Sequence, residues 1–189
     1  NKSGNIGKTP LYVACEKGNL ELVKFLIVNF PKISEYRSQI NYDASLKLAC
    51  NKGDLELVKF LIEKGAEINK HDIYGKTLLY IACENGHLEI VKFLIENGAN
   101  IVINKLNNYG NTPLHVACEK GHLELVKFLI EKGANINLVT GKYSETPLHV
   151  ACEKGHLEVV KFLIENGANI FINKVNNCDN TPLYMACFL

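Results

Sequence analysis

Apolar side chains recur in the pattern Leu-Glu-Leu-Val-Lys-Phe-Leu-Ile, which appears five times with small variations. The apolar positions surround most of a helix, and the remaining stripe places a glutamate three residues before a lysine, a spacing that allows ion pairs. A helix this apolar must be buried on more than one side. Because it has only two or three turns, it is too short to persist alone in water. The pattern therefore predicts short helices that are stabilised by packing against neighbouring copies.

A second pattern, Thr-Pro-Leu-His-Val-Ala, occurs intact at 112–117 and 146–151. Variants of it begin at Thr9, Ala44, Thr77 and Thr181, and the closing alanines are 33 to 35 residues apart. Threonine can cap a helix, proline suits the first helical position, and the glycines that follow can end it. A period in this range is typical of an array in which each repeat contacts only its neighbours.

The order of elements is an Asn/Gly turn, a Thr-Pro-Leu-His helix, a Gly-His-Leu-Glu helix and a Gly-Ala-Asn-Ile exit. It resembles the ankyrin repeat over essentially the whole chain. The resemblance implies an all-α solenoid of stacked helix pairs, in which loops called fingers project between one pair and the next. Finger tips and first helices in that family form a concave surface that binds other proteins. We expect one array over 1–189, a segment of a longer one, with repeats near 4–38, 39–71, 72–106, 107–140, 141–175 and a partial repeat at 176–189.

Some repeats depart from the pattern. Repeat two has Ala44 and Ser45 in place of threonine and proline, and the linker over 30–37 replaces the usual exit. We expect the junction between repeats one and two to be the least regular and most mobile part of the interior. Histidine occupies the fourth position of the first-helix motif only in repeats four and five, so a threonine–histidine hydrogen bond is expected only there.

The fingers are the most variable segments. Between the exit and the next first helix lie eight residues after Ile68, ten after Ile101, nine after Ile136 and ten after Ile170. Irregular loops on a rigid scaffold are common sites of recognition. Apolar residues at the tips could contact a partner or pack finger against finger, and the pattern leaves both possibilities open.

Three tyrosines, Tyr74, Tyr109 and Tyr143, occupy the same finger position in successive repeats. They are either a row of partner contacts or a row of packing contacts between fingers. The ends of the first helices are nearly uniform Glu-Lys pairs, which suits a repetitive partner, weak multivalent contact or no contact. The candidate partner-binding residues are Ile73, Tyr74, Lys76, Leu106, Asn108, Tyr109, Glu119, Lys120, Leu138, Val139, Tyr143, Glu153 and Lys154.

Catalytic, metal and cofactor sites are not expected. Six of the seven cysteines follow the closing alanine of the motif, which predicts packing residues in a reducing, cytoplasmic setting, and Cys178 is expected to be the reactive thiol. Cysteine and histidine recur four residues apart, but two ligands fall short of the four that structural zinc needs. We expect the histidines of those pairs, His87, His122 and His156, to cap the second helices.

Charge and hydropathy narrow the partners. The net charge is +1, so attraction to nucleic acid should be weak, and no apolar run is long enough to insert in a membrane. We therefore expect a non-enzymatic scaffold for another protein. The alternative is an array that stacks end to end, because the terminal repeats lack the polar caps that solenoids need.

Overall fold

The computed structural model describes residues 10–29 and 42–187, and these residues are mainly helical. β structure within them is limited to two isolated bridges, His71 with Thr77 and Thr140 with Glu145, both at the bases of fingers. The chain divides into two compact units, Asn1–Ile68 and Asn69–Leu189.

The first unit contains two helix pairs, in which α1 packs on α2, α1 on α3 and α3 on α4. The helices are α1 (Pro10–Glu16), α2 (Leu20–Asn29), α3 (Tyr42–Lys52) and α4 (Leu55–Glu63). Helix α3 begins two residues before Ala44, the position at which other repeats have their capping threonine, because neither threonine nor proline sets its start. The linker over 30–37 lies outside the described residues, so its expected irregularity stays a prediction.

The second unit repeats the same helix pair and ends with a single first helix. Its helices are α5 (Leu78–Glu84), α6 (Leu88–Glu96), α7 (Pro113–Glu119), α8 (Leu123–Glu131), α9 (Pro147–Glu153), α10 (Leu157–Glu165) and α11 (Pro182–Ala186). First helices pack on first helices in the order α5, α7, α9, α11, and second helices pack in the order α6, α8, α10. The core lies between these rows, where each helix from α5 to α10 has a fully buried leucine, such as Leu114 and Leu129.

The predicted helix starts are confirmed in this unit. The side chains of Thr77, Thr112, Thr146 and Thr181 each accept a hydrogen bond from the backbone N–H three residues later. The predicted threonine–histidine bonds are also present in repeats four and five. His115 Nδ1 lies 2.7 Å from the Thr112 hydroxyl, and His149 Nδ1 lies 2.8 Å from the Thr146 hydroxyl.

The predicted capping role of the second histidines was wrong. His87, His122 and His156 occupy the N-cap positions of α6, α8 and α10, but none of their side chains makes a capping hydrogen bond to those helices. His156 Nε2 instead donates to the carbonyl oxygen of Glu119, 2.8 Å away, at the end of the previous repeat's first helix. His122 makes the corresponding bond to the backbone of Glu84. These rings therefore satisfy orphan carbonyls of the preceding repeat.

Part of the predicted variation in finger length was wrong, because the additional residues after Ile101 and Ile170 do not belong to the fingers. In repeats three and five, the segment that holds the two additional residues begins with a short 3₁₀ helix, Ala99–Val102 or Ala168–Phe171, close to the end of the second helix. Counted from Ile103 and Ile172 to the next threonine, the following fingers have eight residues each, as after Ile68. Only the finger after Ile136 is longer, by one residue.

The surface stripe of the second helices carries the predicted ion pairs, with Nζ–O distances of 2.7 to 3.1 Å. The pairs are Glu21–Lys24, Glu56–Lys59, Glu89–Lys92, Glu124–Lys127 and Glu158–Lys161. These side chains are largely exposed, so each pair contributes only a few tenths of a kcal/mol.

The cysteine prediction holds for five of the six repeated positions. Cys15, Cys50, Cys83, Cys118 and Cys152 are buried, whereas Cys187 is exposed, and so is the loop residue Cys178.

Candidate functional site

The finger tips of the second unit are tight turns held by their own side chains. In the fourth repeat, Asn107 Oδ1 accepts hydrogen bonds from the backbone N–H groups of Tyr109 and Asn111, at 3.0 and 2.9 Å. Asp72 and Asn176 do the same in their own turns. This turn places the third residue, which is Tyr74, Tyr109 or Cys178, at the tip. Such turns are a usual role of asparagine and aspartate.

The finger of repeat five is built differently. It has one residue more, and it lacks an asparagine or aspartate at the start of the turn. Thr140 and Glu145 instead exchange two backbone hydrogen bonds, at 2.9 and 3.0 Å, and Ser144 adopts a left-handed conformation with φ of 57°. Tyr143 still lies at the tip, one residue before this left-handed position.

Neighbouring fingers are joined through backbone and asparagine contacts. Asn108 donates from its backbone N–H to the carbonyl oxygen of Tyr74 and from Nδ2 to that of Ile73, both at 2.9 Å. Asn177 makes the same two contacts to repeat five, and its backbone N–H lies 2.7 Å from the Tyr143 carbonyl oxygen. These hydrogen bonds hold the tips in register and give Asn108, a predicted contact residue, a role in finger packing.

The fingers of repeats four and five meet at two glycines. A Cβ atom added to Gly110 would lie 2.5 Å from the Cα atom of Gly141. Since real Cβ atoms do not approach backbone so closely, the contact requires glycine at position 110, where φ is also +81°.

The tyrosine side chains remain about half accessible in this arrangement. Tyr74 is 50% exposed, Tyr109 62% and Tyr143 47%. Ile73 and Leu106 on the same fingers, and Val175 on the following finger, are also exposed. We call the tips and the adjoining ends of the first helices the finger surface; it comprises 71–77, 105–111, 138–146, 174–180 and the C-terminal residues of α5, α7 and α9.

The remaining predicted residues lie on or beside this surface, mostly in ion pairs. Lys76 Nζ is 2.8 Å from Glu84, and this pair is more buried than those on the second helices. Glu119 pairs with Lys120 at 3.0 Å, and Glu153 with Lys154 at 2.8 Å. Leu138 and Val139 are half-buried at the base of the longer finger.

Two adjoining grooves lie on the finger surface at repeats four to six. The smaller, of about 250 Å³, is lined by residues that include His115, Glu119 and Lys154. The larger, of about 520 Å³, has Tyr143, Tyr184 and Met185 among its lining residues. Glu145 and Glu153 line both.

The electrostatics of the larger groove are set by its half-buried carboxylate. Burial raises the pKa of Glu145, and the nearby charge of Glu153 raises it further, while a hydrogen bond from Asn176 opposes the shift. Sequence reasoning missed Glu145, Asn176 and Tyr184. A signal for Glu145 was present, because the position before each threonine is Lys76, Asn111, Glu145 and Asn180 in successive repeats and so changes charge.

Models of protein families match most of the chain. A model described as ankyrin repeats (3 copies) matches residues 1–72 and 46–140, and one described as ankyrin repeats (many copies) matches residues 148–188. The chain belongs to the ankyrin repeat family. A search of curated proteins found no match. Ankyrin repeats are generally protein–protein interaction modules and typically non-enzymatic, and the fold is the expected all-α array of stacked helix pairs.

The titratable groups inside this ankyrin array are held in their neutral forms. Burial raises the pKa of Cys50 to about 12 and that of Cys152 to about 11, so these thiols stay protonated near neutral pH. Burial lowers the pKa of His115 to about 4. No group of three or more possible metal-ligating side chains occurs in the described parts of the chain. Among the described helices, none has the length and apolar character to cross a membrane.

Proposed function

We propose that this ankyrin array is a scaffold that binds another protein across the finger surface, with Tyr74, Tyr109 and Tyr143 as its central contacts. The observation that carries the proposal is the row of half-exposed tyrosines on fingers that are held against one another, by a backbone hydrogen bond between Asn108 and Tyr74 and by the close contact of Gly110 with Gly141. A rigid row loses little conformational entropy on binding. Tyrosine offers a partner an apolar ring face and a hydroxyl in one side chain.

The surroundings of the row favour a partner that makes many similar contacts. Ile73 and Leu106 add exposed apolar area beside the tyrosines. The ends of α7 and α9 carry the same Glu-Lys ion pair, and the chain has no tryptophan. A surface of this kind suits a partner with a repeated or extended contact segment.

The test replaces Tyr74, Tyr109 and Tyr143 together with alanine. The partner is first isolated by pull-down with the wild-type array and identified by mass spectrometry, and its affinity is then measured by calorimetry. We expect the affinity to fall at least tenfold, because interface tyrosines are often worth about 1 kcal/mol or more each. A triple phenylalanine variant is the matched control, since it keeps the rings.

The helical circular dichroism of both variants should equal that of the wild type. Unchanged affinity of the folded alanine variant would remove the tyrosine row from the proposal. We also propose a reducing, cytoplasmic location, which is supported by the five buried free thiols at the repeated position.

A second candidate function is end-to-end association of arrays. Leu183 on α11 is 62% exposed and is an accessible apolar position that a second copy of the array could cover. Light scattering over a concentration series tests it: growth that Leu183→Glu abolishes supports association, and a monomer at all concentrations contradicts it.

A further inference from the structure

We propose that the bound partner inserts a lysine or arginine side chain into the larger groove, between Tyr143 and Tyr184, where its cation pairs with Glu145 and Glu153. This inference rests on the proposed function and specifies the chemistry of the partner. It concerns the part of the finger surface formed by repeats five and six.

The charges of the two grooves are incompletely balanced. Glu119, Glu145 and Glu153 line them, and Lys154 is the lysine among their lining residues. Lys154 lies 2.8 Å from Glu153, and Glu119 pairs with Lys120 outside the lining. Glu145 forms no ion pair with any described residue, and the charge of Lys154, which is paired with Glu153, acts on it only at longer range. Its hydrogen-bond donor is the neutral amide of Asn176, 3.2 Å away. A partner cation would supply the missing counter-charge.

Because Glu145 is half-buried, a counter-charge would stabilise its ionised form more than it would stabilise an exposed carboxylate. Its pKa is raised mainly by loss of water, then by repulsion from Glu153. A cation beside the carboxylate would offset both effects, since a nearby opposite charge favours the ionised form. Because folding has already removed water from Glu145, a close cation can contribute more here than at an exposed carboxylate, as close charge pairs do at some interfaces.

The walls of the groove suit a long basic side chain. Tyr143 and Tyr184 are each about half exposed, and Met185 also lines the groove. Tyrosine rings attract cations to their faces, and the methylene stem of lysine or arginine can lie on apolar surface. The volume of about 520 Å³ is enough for one such side chain and the neighbouring backbone of the partner.

One cation already lies beside this wall. Lys142 Nζ is 5.4 Å from the centre of the Tyr143 ring. Lys142 is exposed. A partner cation that pairs with Glu145 can therefore contact another accessible part of the Tyr143 ring, or displace Lys142 from the ring.

The test begins with random dodecapeptides displayed on phage and selected against the full chain. An extended dodecapeptide spans about 40 Å, enough to cross several repeats. We expect the selected peptides to share a lysine or arginine. One such peptide is then synthesised with arginine at that position, or with citrulline, which is uncharged and of similar shape, and its affinity is measured by fluorescence anisotropy.

Glu145→Gln should weaken binding of the arginine peptide about five- to tenfold and leave binding of the citrulline peptide within about twofold. Glutamine can still accept the Asn176 hydrogen bond, so the fold of the groove is retained. The matched control is Glu124→Gln on the second helix α8, which removes the same charge outside the groove and should change neither affinity.

The outcomes separate this inference from the proposed function. Selected peptides without a shared basic residue, or equal effects of Glu145→Gln on the arginine and citrulline peptides, overturn the inference. If Tyr74→Ala with Tyr109→Ala weakens binding while Glu145→Gln does not, the finger surface stands and the cation site falls. If only Glu145→Gln weakens binding, the cation site stands and the wider tyrosine row falls.

Discussion

The contact between Gly121 and His156 allows the coupling between repeats to be measured. Gly121 follows α7 with φ of +72°, and a Cβ atom added there would lie 2.6 Å from His156 Nδ1. Gly133 follows α8 with φ of +95°, and an added Cβ atom would meet nothing within 4 Å. Both glycines end helices in the left-handed region, but only Gly121 supports a side chain from the next repeat.

The magnitude follows from two contributions. Alanine at either position has a backbone cost of about 1–2 kcal/mol, because the left-handed region is unfavourable for residues with a Cβ atom. The cost should be no smaller at Gly133, where φ lies further from the left-handed minimum. Gly121→Ala must also displace the His156 ring, whose hydrogen bond to Glu119 is worth about 0.5–1.5 kcal/mol. Gly121→Ala should therefore destabilise by about 1 kcal/mol more than Gly133→Ala.

The assay is urea unfolding followed by circular dichroism, completed as a double-mutant cycle with His156→Ala. Removing the ring loses the hydrogen bond and opens the space above Gly121, so Gly121→Ala in that background should cost only the backbone contribution. The coupling energy should be about 1 kcal/mol, with the double variant less destabilised than the sum of the single ones. Equal costs at Gly121 and Gly133, or additive effects in the cycle, would refute the role given to His156.

Three further measurements test other parts of the array. Burial lowers the pKa of His115 from 6.5 to about 4, so the contribution of its neutral form to stability is complete above pH 6.5 and falls as the pH is lowered towards 4. The loss should be about 2 kcal/mol at pH 5. His115→Gln should reduce this loss, measured by urea unfolding at pH 7.5 and pH 5. Thr146→Ala should cost about 1–2 kcal/mol of unfolding free energy through loss of the helix cap, and Thr146→Ser should restore most of it. Leu129→Ala should cost about 2–5 kcal/mol because the side chain is fully buried, whereas Leu157→Ala, at a 60% exposed position, should change thermal stability little.

Much of the fold could be predicted from the sequence because its signals are local. Thr112 and Pro113 set the start of α7, and their chemistry acts within one helical turn. The apolar pattern of the second helices correctly identified buried residues such as Leu129. Repetition strengthened each signal, since the same residue types mark the same element in every unit.

The candidate site was predictable only in part. The finger position of Tyr74, Tyr109 and Tyr143 followed from alignment of the repeats, and the structure places each at a finger tip. The sequence did not indicate that Asn108 would be engaged by the neighbouring finger, nor that Glu145 would line a groove. Both residues contact a neighbouring repeat, and the pattern within one repeat does not show which side chains make such contacts.

The sequence by itself determined the ankyrin repeat, its helix boundaries, its buried face and the threonine–histidine bonds, because each depends on residues within a few positions of one another. Only the tertiary structure decided which side chains form hydrogen bonds between neighbouring repeats. His156 reaches Glu119 across 37 positions, and Asn176 reaches Glu145 across 31. Such contacts depend on the direction in which each side chain leaves its turn, and that direction is set by packing between repeats.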